Sequence, residues 1–162
     1  AEPHPGYRPC VGILLLDAAG RLLVGRRADV TVEAWQPPQG GIDPGEDVVA
    51  AGRRELREES GTDRARLLRV SRGWRAYDLP ASVAASSWGG RYKGQTQRWL
   101  ALRFTGVDAD IRLDAHLPAE FAAWRWIAPA VLASLAAPFK RAVYAGVLDE
   151  FADLLTATAR PT

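Results

Sequence analysis

Methionine is absent, cysteine occurs once and histidine twice in a chain of 162 residues. A lone Cys10 excludes an internal disulfide framework. Two histidines and one cysteine also fall short of the four Cys/His ligands that structural zinc sites usually use. No segment approaches the ~18 consecutive apolar residues of a membrane span. The opening AEPHPGYRPC lacks a basic stretch followed by an apolar one, so neither export nor membrane insertion is expected, and cytoplasm is the expected compartment. Internal repeats and low-complexity tracts are lacking too, and the length suits a single domain over residues 1–162. Charge of one sign is also missing overall: 21 Lys and Arg face 19 Asp and Glu, a net +2. The glutamates nevertheless concentrate between residues 46 and 59, leaving the rest more basic. That asymmetry suits an anionic substrate held by arginines beside an acidic metal site; scattered surface arginines are the plain alternative.

What is present reads as short strands with a few helices. VGILLLDAAGRLLVGRR (Val11 to Arg27) predicts a hairpin turning at Asp17 to Gly20, and residues 28 to 38 a loop, because Pro37 and Pro38 forbid both helix and central strand. A helix is expected from Asp47 to Ser60 with Gly61 as its C-cap, then a strand pair over residues 66 to 79. Ala81 to Gly94 reads as a surface loop. Strands follow over Arg98 to Gly106 and Phe121 to Pro129, the latter with Trp124 and Trp126 on one face. Pro138 starts a last helix, along which Phe139, Val143, Val147, Phe151 and Leu154 recur at helical spacing. Strands with two or three helices, not regularly alternating, indicate an α+β sandwich.

The middle helix poses a problem. Glu55, Glu58 and Glu59 stand at i, i+3 and i+4, on one face. Like charges 5 to 6 Å apart repel by about 3 kcal/mol at an effective dielectric of 20. Arg53, Arg54 and Arg57 interleave with them, so a solvated, self-paired face is the bland account. The alternative is a divalent cation. Hard cations such as Mg²⁺ take oxygen ligands, and carboxylates from consecutive helical turns can hold them against a polyphosphate.

Spacing favours the second account. Gly40, five residues to Glu46, then seven to Arg54-Glu55-Leu56-Arg57-Glu58-Glu59-Ser60-Gly61 reproduces G-x5-E-x7-R-E-U-x-E-E-x-G-U. Only the last position departs, with Thr62 where an aliphatic residue is usual. On these residues the chain resembles the Nudix hydrolases, which implies the α+β Nudix fold, an α/β/α sandwich with a mixed central sheet. The resemblance also implies Mg²⁺-dependent cleavage of a phosphoanhydride, with Mn²⁺ or another divalent cation able to substitute. It makes Glu55 and Glu59 the principal metal ligands, Glu58 a further ligand or the base, and the Gly40 carbonyl an additional ligand. Glu46 and Arg54 become a structural salt bridge between loop and helix.

Flanking stretches narrow the resemblance. GYRPCVGI (6–13), GRR (25–27), WQPPQGGIDPGE (35–46), GQTQRW (94–99), PAEFAAWRW (118–126) and PFKRAVY (138–144) are similar to the bacterial RNA pyrophosphohydrolases and the related dinucleoside polyphosphate hydrolases. That implies an RNA 5′ end or a dinucleoside polyphosphate as substrate, and no obligatory protein partner. Read so, Arg8 and Arg27 contact phosphates, Tyr77 and Phe139 lie near the nucleotide, and Gln95 and Lys140 bind phosphate or base-side groups. Phe139 equally fits the apolar stripe of the last helix. Glu120 resembles an extra glutamate that completes the metal site, and the base stays open among Glu58, Glu59 and Glu120. Two departures stand out: Pro37 replaces a bulky residue, and the loop from Ala81 to Lys93 carries only Arg91 and Lys93, which weighs toward a dinucleotide over RNA. A Nudix-fold module that binds nucleotide without cutting it is the rival from another class. Such modules typically lose glutamates of the box, and this chain keeps all four.

Overall fold

The computed structural model describes residues 2–28 and 33–158, with side chains through Leu155. Strand β1 (Arg8–Leu16) is the axis of a mixed sheet. It lies parallel to β7 (Gly94–Phe104), in register from Arg8 opposite Gln95 to Leu16 opposite Arg103. Both strands are covered on both faces, which is why LLL and WLAL read as continuous apolar runs rather than as alternation. Leu14, Leu16, Trp99 and Ala101 enter one core, and Val11, Ile13, Leu15, Leu100 and Leu102 the other.

The first core is closed by α3 (Leu132–Leu135), α4 (Arg141–Glu150) and α5 (Ala152–Thr158) through Leu132, Val143, Tyr144, Val147, Phe151 and Leu155. The second is closed by α1 (Val48–Ser60) through Ala51 and Leu56, with Ile111 at its margin. The architecture is the expected α/β/α sandwich. Gly52 lets α1 come close, since a Cβ there would lie 2.3 Å from Leu100. Asp47 caps α1 by accepting from the Ala50 N–H at 3.1 Å, and Gly61 ends it at φ 78°.

The expected hairpin is present, but it splays. Between β1 and β2 (Leu22–Arg27) the register holds at Leu16 and Leu22, beside a turn in which Asp17 accepts from the Ala19 and Arg21 N–H groups. Further along, β2 pairs with β3 (Trp35–Gln36), while β1 pairs with β4 (Gln39–Gly41). The expected loop over 28 to 38 therefore ends in a strand that changes partner; residues 29–32 lie outside the described ones. Pro37 and Pro38 sit at the crossing, where a missing N–H costs no ladder bond, and the Pro38 carbonyl accepts from Ile13 at 2.9 Å.

Other expectations need correction. The pair over 66 to 79 appears as β5 (Ala65–Val70) and β6 (Arg75–Asp78), but each pairs with β7 rather than with the other. β7 accommodates both because it starts at Gly94, four residues before the strand expected from Arg98. The loop over 81 to 94 contains a short helix, α2 (Ala81–Ser86), with no buried residue, consistent with the helix preference of its alanines. The last helix is broken: a 3₁₀ turn over Pro138–Lys140 precedes α4, and Phe151 interrupts α4 from α5. Strand β8 (Phe121–Ile127) pairs antiparallel with β2, and Trp124 and Trp126 meet edge to face at 6.0 Å, on one side as expected. Among the described residues no helix is long and apolar enough to cross a membrane.

Candidate active site

The splayed end of the hairpin opens a cleft of about 250 Å³ lined by Arg8, Arg27, Gln39, Gly40, Glu55 and Glu120, with Gln36, Gln95, Lys140 and Trp88 completing its walls. Helix α1 supplies its floor. Glu55, Glu59 and Glu120 each bring a carboxylate oxygen to within 4.8 Å of the others, two from consecutive turns of α1 and one from the residue preceding β8. Gly40 on β4 makes room for them, because a Cβ there would stand 2.1 Å from the Glu55 carboxylate.

Electrostatics makes this cluster costly by itself. Glu59 is 1% exposed, and neither of its oxygens accepts a hydrogen bond from the protein. Burial, then the neighbouring charges of Glu120 and Glu55, hold its carboxyl well above the ordinary range. Glu55 is pushed up to about 7, chiefly by burial, although Arg54 donates to it at 2.8 Å. A buried carboxylate cluster whose innermost member, Glu59, has no protein hydrogen-bond partner suits a hard divalent cation, so the donor set fits the group that the Nudix resemblance implied. Glu58 lies beside this cluster, with an oxygen 3.6 Å from the Arg54 guanidinium.

Arg54 organises the loop below. It grips Glu46 through two hydrogen bonds, of 3.0 and 2.9 Å, and donates to the Gly41 carbonyl at 2.8 Å. The Arg54 guanidinium and the Asp43 N–H lower the Glu46 carboxyl to about 2. The expected loop-to-helix bridge is thus in place, and it fixes β4 against α1. Thr62 is buried and its hydroxyl accepts from the Arg64 N–H at 3.1 Å, so the departure from an aliphatic residue is absorbed locally.

Cations line the other wall. Arg8, Arg27 and Lys140 share the cleft with the glutamates. Lys140 is 7% exposed, donates to Gln36 at 2.9 Å, and is lowered to about 8 by burial first and by Arg27 second. Gln95 also lines the cleft and accepts from the Tyr77 hydroxyl at 2.7 Å, which places Tyr77 behind the wall rather than on it. Phe139 is 37% exposed and packs on Tyr77 at 6.0 Å between ring centroids; it is outside the core that the apolar stripe suggested. Sequence reasoning missed Gln36, Gln39 and Trp88. The first two flank the prolines of the strand switch, and Trp88 is the one tryptophan in a stretch of Ala, Ser and Gly. A larger concavity of about 620 Å³ lies elsewhere, by Arg72, Trp74 and Arg75; its two acids, Asp149 and Glu150, belong to no cluster of three carboxylates among the described residues, and Glu150 is bound to Arg75 at 3.0 Å.

Residues 6–147 match the model of the NUDIX domain. The chain belongs to the NUDIX family. An RNA pyrophosphohydrolase of Novosphingobium aromaticivorans is 53% identical over 152 residues, 92% of this chain and 94% of the relative. One from Gluconobacter oxydans is 46% identical, over 95% of this chain and 91% of that protein. Among solved structures, a C. elegans Ap4A hydrolase binary complex superposes with a TM-score of 0.64 at 18% identity, covering 91% of this chain and 98% of that one. The E. coli dihydroneopterin triphosphate pyrophosphohydrolase gives 0.65 at 18% identity, over 86% and 95%. At that identity the two structures bear on the Nudix fold alone.

Proposed function

We propose that this NUDIX protein hydrolyses 5′-triphosphorylated RNA to pyrophosphate and a 5′-monophosphate end. The observation that carries the reading is one cleft that Glu55 and Glu120, clustered with the buried Glu59, share with Arg8, Arg27 and Lys140. Relatives named RNA pyrophosphohydrolase, matched over nearly their whole length, support the choice of substrate.

In this reading Glu55, Glu59 and Glu120, with the Gly40 carbonyl, hold Mg²⁺, for which Mn²⁺ can substitute. A divalent cation there offsets phosphate charge and acidifies water. Arg8, Arg27 and Lys140 take the phosphate oxygens, spread the charge that builds as water attacks phosphorus, and orient the chain for cleavage. Glu58, Glu59 and Glu120 are the candidates to accept the proton of the attacking water. Gln95, backed by Tyr77, and Phe139 flank the first nucleoside. Glu46 and Arg54 keep the loop and helix in register and touch no substrate.

A dinucleoside polyphosphate is the second reading, because it presents the same nucleoside and polyphosphate and because the segment 81–93 offers only Arg91 and Lys93 to a longer strand. The test is kcat/KM for a short triphosphorylated RNA and for diadenosine tetraphosphate in one Mg²⁺ buffer, with Glu59→Gln as the blank. A large preference for the RNA supports the first reading. Preference for the dinucleotide moves the assignment to the second.

A further inference from the structure

The cleft wall contains one aromatic ring to which no role has been given. Trp88 stands beside Arg8, Gln95 and Glu120 and is half-buried. Its backbone is at φ 49°, the left-handed region, and it is the one non-glycine residue there among the described residues. A bulky side chain in that region is a genuine outlier that persists where the surroundings hold it. Gly89 and Gly90 follow at φ 65° and 72°, at no steric cost. A third glycine at 88 would make the turn more easily, so the turn does not account for the tryptophan.

Core packing does not account for it either. Helix α2, just before it, buries nothing. Its neighbours are polar or exposed: the Arg8 guanidinium lies over the ring at 5.0 Å, and Tyr92 meets it edge-on at 6.0 Å. Arg91 then lies over Tyr92 at 5.6 Å, and Lys93 over Tyr7 at 5.5 Å. Aromatic rings interleaved with cations along a surface that leaves a phosphate cleft are the pattern of a single-strand track, in which bases stack on rings while the backbone follows the charges.

We infer that Trp88 is a stacking platform for a nucleobase of the RNA substrate, at the mouth of the cleft, with Arg8 shared between its ring and the phosphates. The inference rests on the RNA reading above and deepens it. It accounts for how a segment with two cations engages a strand: the ring supplies the contact that charge does not. Since every base has a π face, the platform works with any base and does not set sequence.

Binding of a 5′-monophosphorylated, 3′-fluorescein-labelled octaribonucleotide, followed by anisotropy, tests this on wild type, Trp88→Phe, Trp88→Leu and Trp88→Gly. Loss of a stacked base corresponds to roughly a 5- to 150-fold weaker Kd. Leu and Gly are expected to show it, and Phe to stay within about threefold of wild type. Inorganic tripolyphosphate, which has no base, should compete equally with wild type and Trp88→Leu. Gly fits the local backbone, so its melting temperature should not fall, which separates a lost ring from a misfolded loop. Unchanged Kd in Trp88→Leu, equal losses in Phe and Leu, or no binding by wild type each overturn the platform. Ring-dependent binding by a protein that releases no pyrophosphate from triphosphorylated RNA leaves the platform standing and removes the hydrolase reading.

Discussion

Gly40→Ala isolates the geometry of the carboxylate cluster from its chemistry, because it changes no charge and no ligand type. The added Cβ would lie 2.1 Å from Cδ and Oε2 of Glu55 and 2.5 Å from Oε1. Non-bonded contact distance is about 3.5 Å or more, so something has to move by more than ~1 Å. The strand cannot yield easily, since Gly40 pairs with Val11 between Gln39 opposite Gly12 and Gly41 opposite Cys10. The Glu55 carboxylate is the softer partner, although Arg54 holds its Oε1 at 2.8 Å. Stability should change little. Overpacking costs about 1 to 3 kcal/mol, while replacing a glycine that is not in the left-handed region returns about 0.4 to 1. The net loss of about 0 to 2.5 kcal/mol is a fall in Tm of under ~10 °C at this chain length. Activity should fall far more, because a misplacement of about 1 Å at a reacting centre can cost a hundredfold. Calorimetry for Tm and pyrophosphate release for kcat, on the same preparation, check the split. A kcat within threefold of wild type would show that the position of Glu55 does not govern the reaction, and the cluster as assigned would be wrong.

Glu59→Gln removes a buried carboxylate with no donor, so without cation the variant should be at least as stable as wild type. With Mg²⁺ at a hundred times its Kd, wild type should gain about 2.7 kcal/mol, or roughly 5 to 10 °C in Tm, and the variant should not; equal gains would place the cation elsewhere. Lys140, lowered to about 8, loses its proton as pH rises through that value, so kcat/KM should fall above about pH 8. Between 8 and the ordinary 10.5 the unfolded chain holds that proton more tightly, so this residue's contribution to stability rises over the same window. Lys140→Arg keeps the charge and should flatten the decline in kcat/KM; persistence of the decline would clear Lys140. Glu46, lowered from 4.5 to about 2, contributes stability that is complete above pH 4.5 and lost as pH falls toward 2. Its partly exposed pair with Arg54 is worth about 1 kcal/mol or less after solvent screening, measured as the urea-melt difference from Glu46→Gln, which should close over that interval. A difference independent of pH would mean that packing rather than charge is responsible.

The helix and its C-cap were legible because their signals are local: Gly61, in the left-handed region, and glutamates one turn apart act within a few residues, whereas Asp47, read as the first helical residue, is the N-cap. The bridge from Glu46 to Arg54 was pointed to by the family resemblance rather than by a local signal. What escaped was set by long-range pairing. Nothing local in Trp35–Gln36 and Gln39–Gly41 says that the first joins β2 and the second β1, yet that switch opens the cleft and brings Gln36 and Gln39 to its wall. The strand pair over 66 to 79 failed for the same reason. Two adjacent strands read naturally as a hairpin, whereas the length of β7 lets it pair with both. Glu120 reaches the cluster from sixty-one residues beyond Glu59, and only family resemblance pointed to it.

The stacked glutamates then have a physical account that a solvated helix face does not supply. A surface i, i+4 pair would relax by exposure, but Leu56 and Gly52 seat α1 against the sheet and leave Glu55 and Glu59 buried. Arg54 cannot relieve them all, because Glu46, the Gly41 carbonyl and Glu55 already share its donors. Glu59 is left with burial and like charge, no protein group stands in hydrogen-bond geometry to its oxygens, and the nearby Gln39 backbone is the weakest influence on it. The fold tolerates that penalty because it totals a few kcal/mol against a large apolar interior, and a cation that neutralises the cluster recovers it on binding. The cost of the empty cluster and the affinity of the filled one are therefore the same interaction. A substitution that makes α1 more comfortable by itself should, for that reason, weaken the cation it holds.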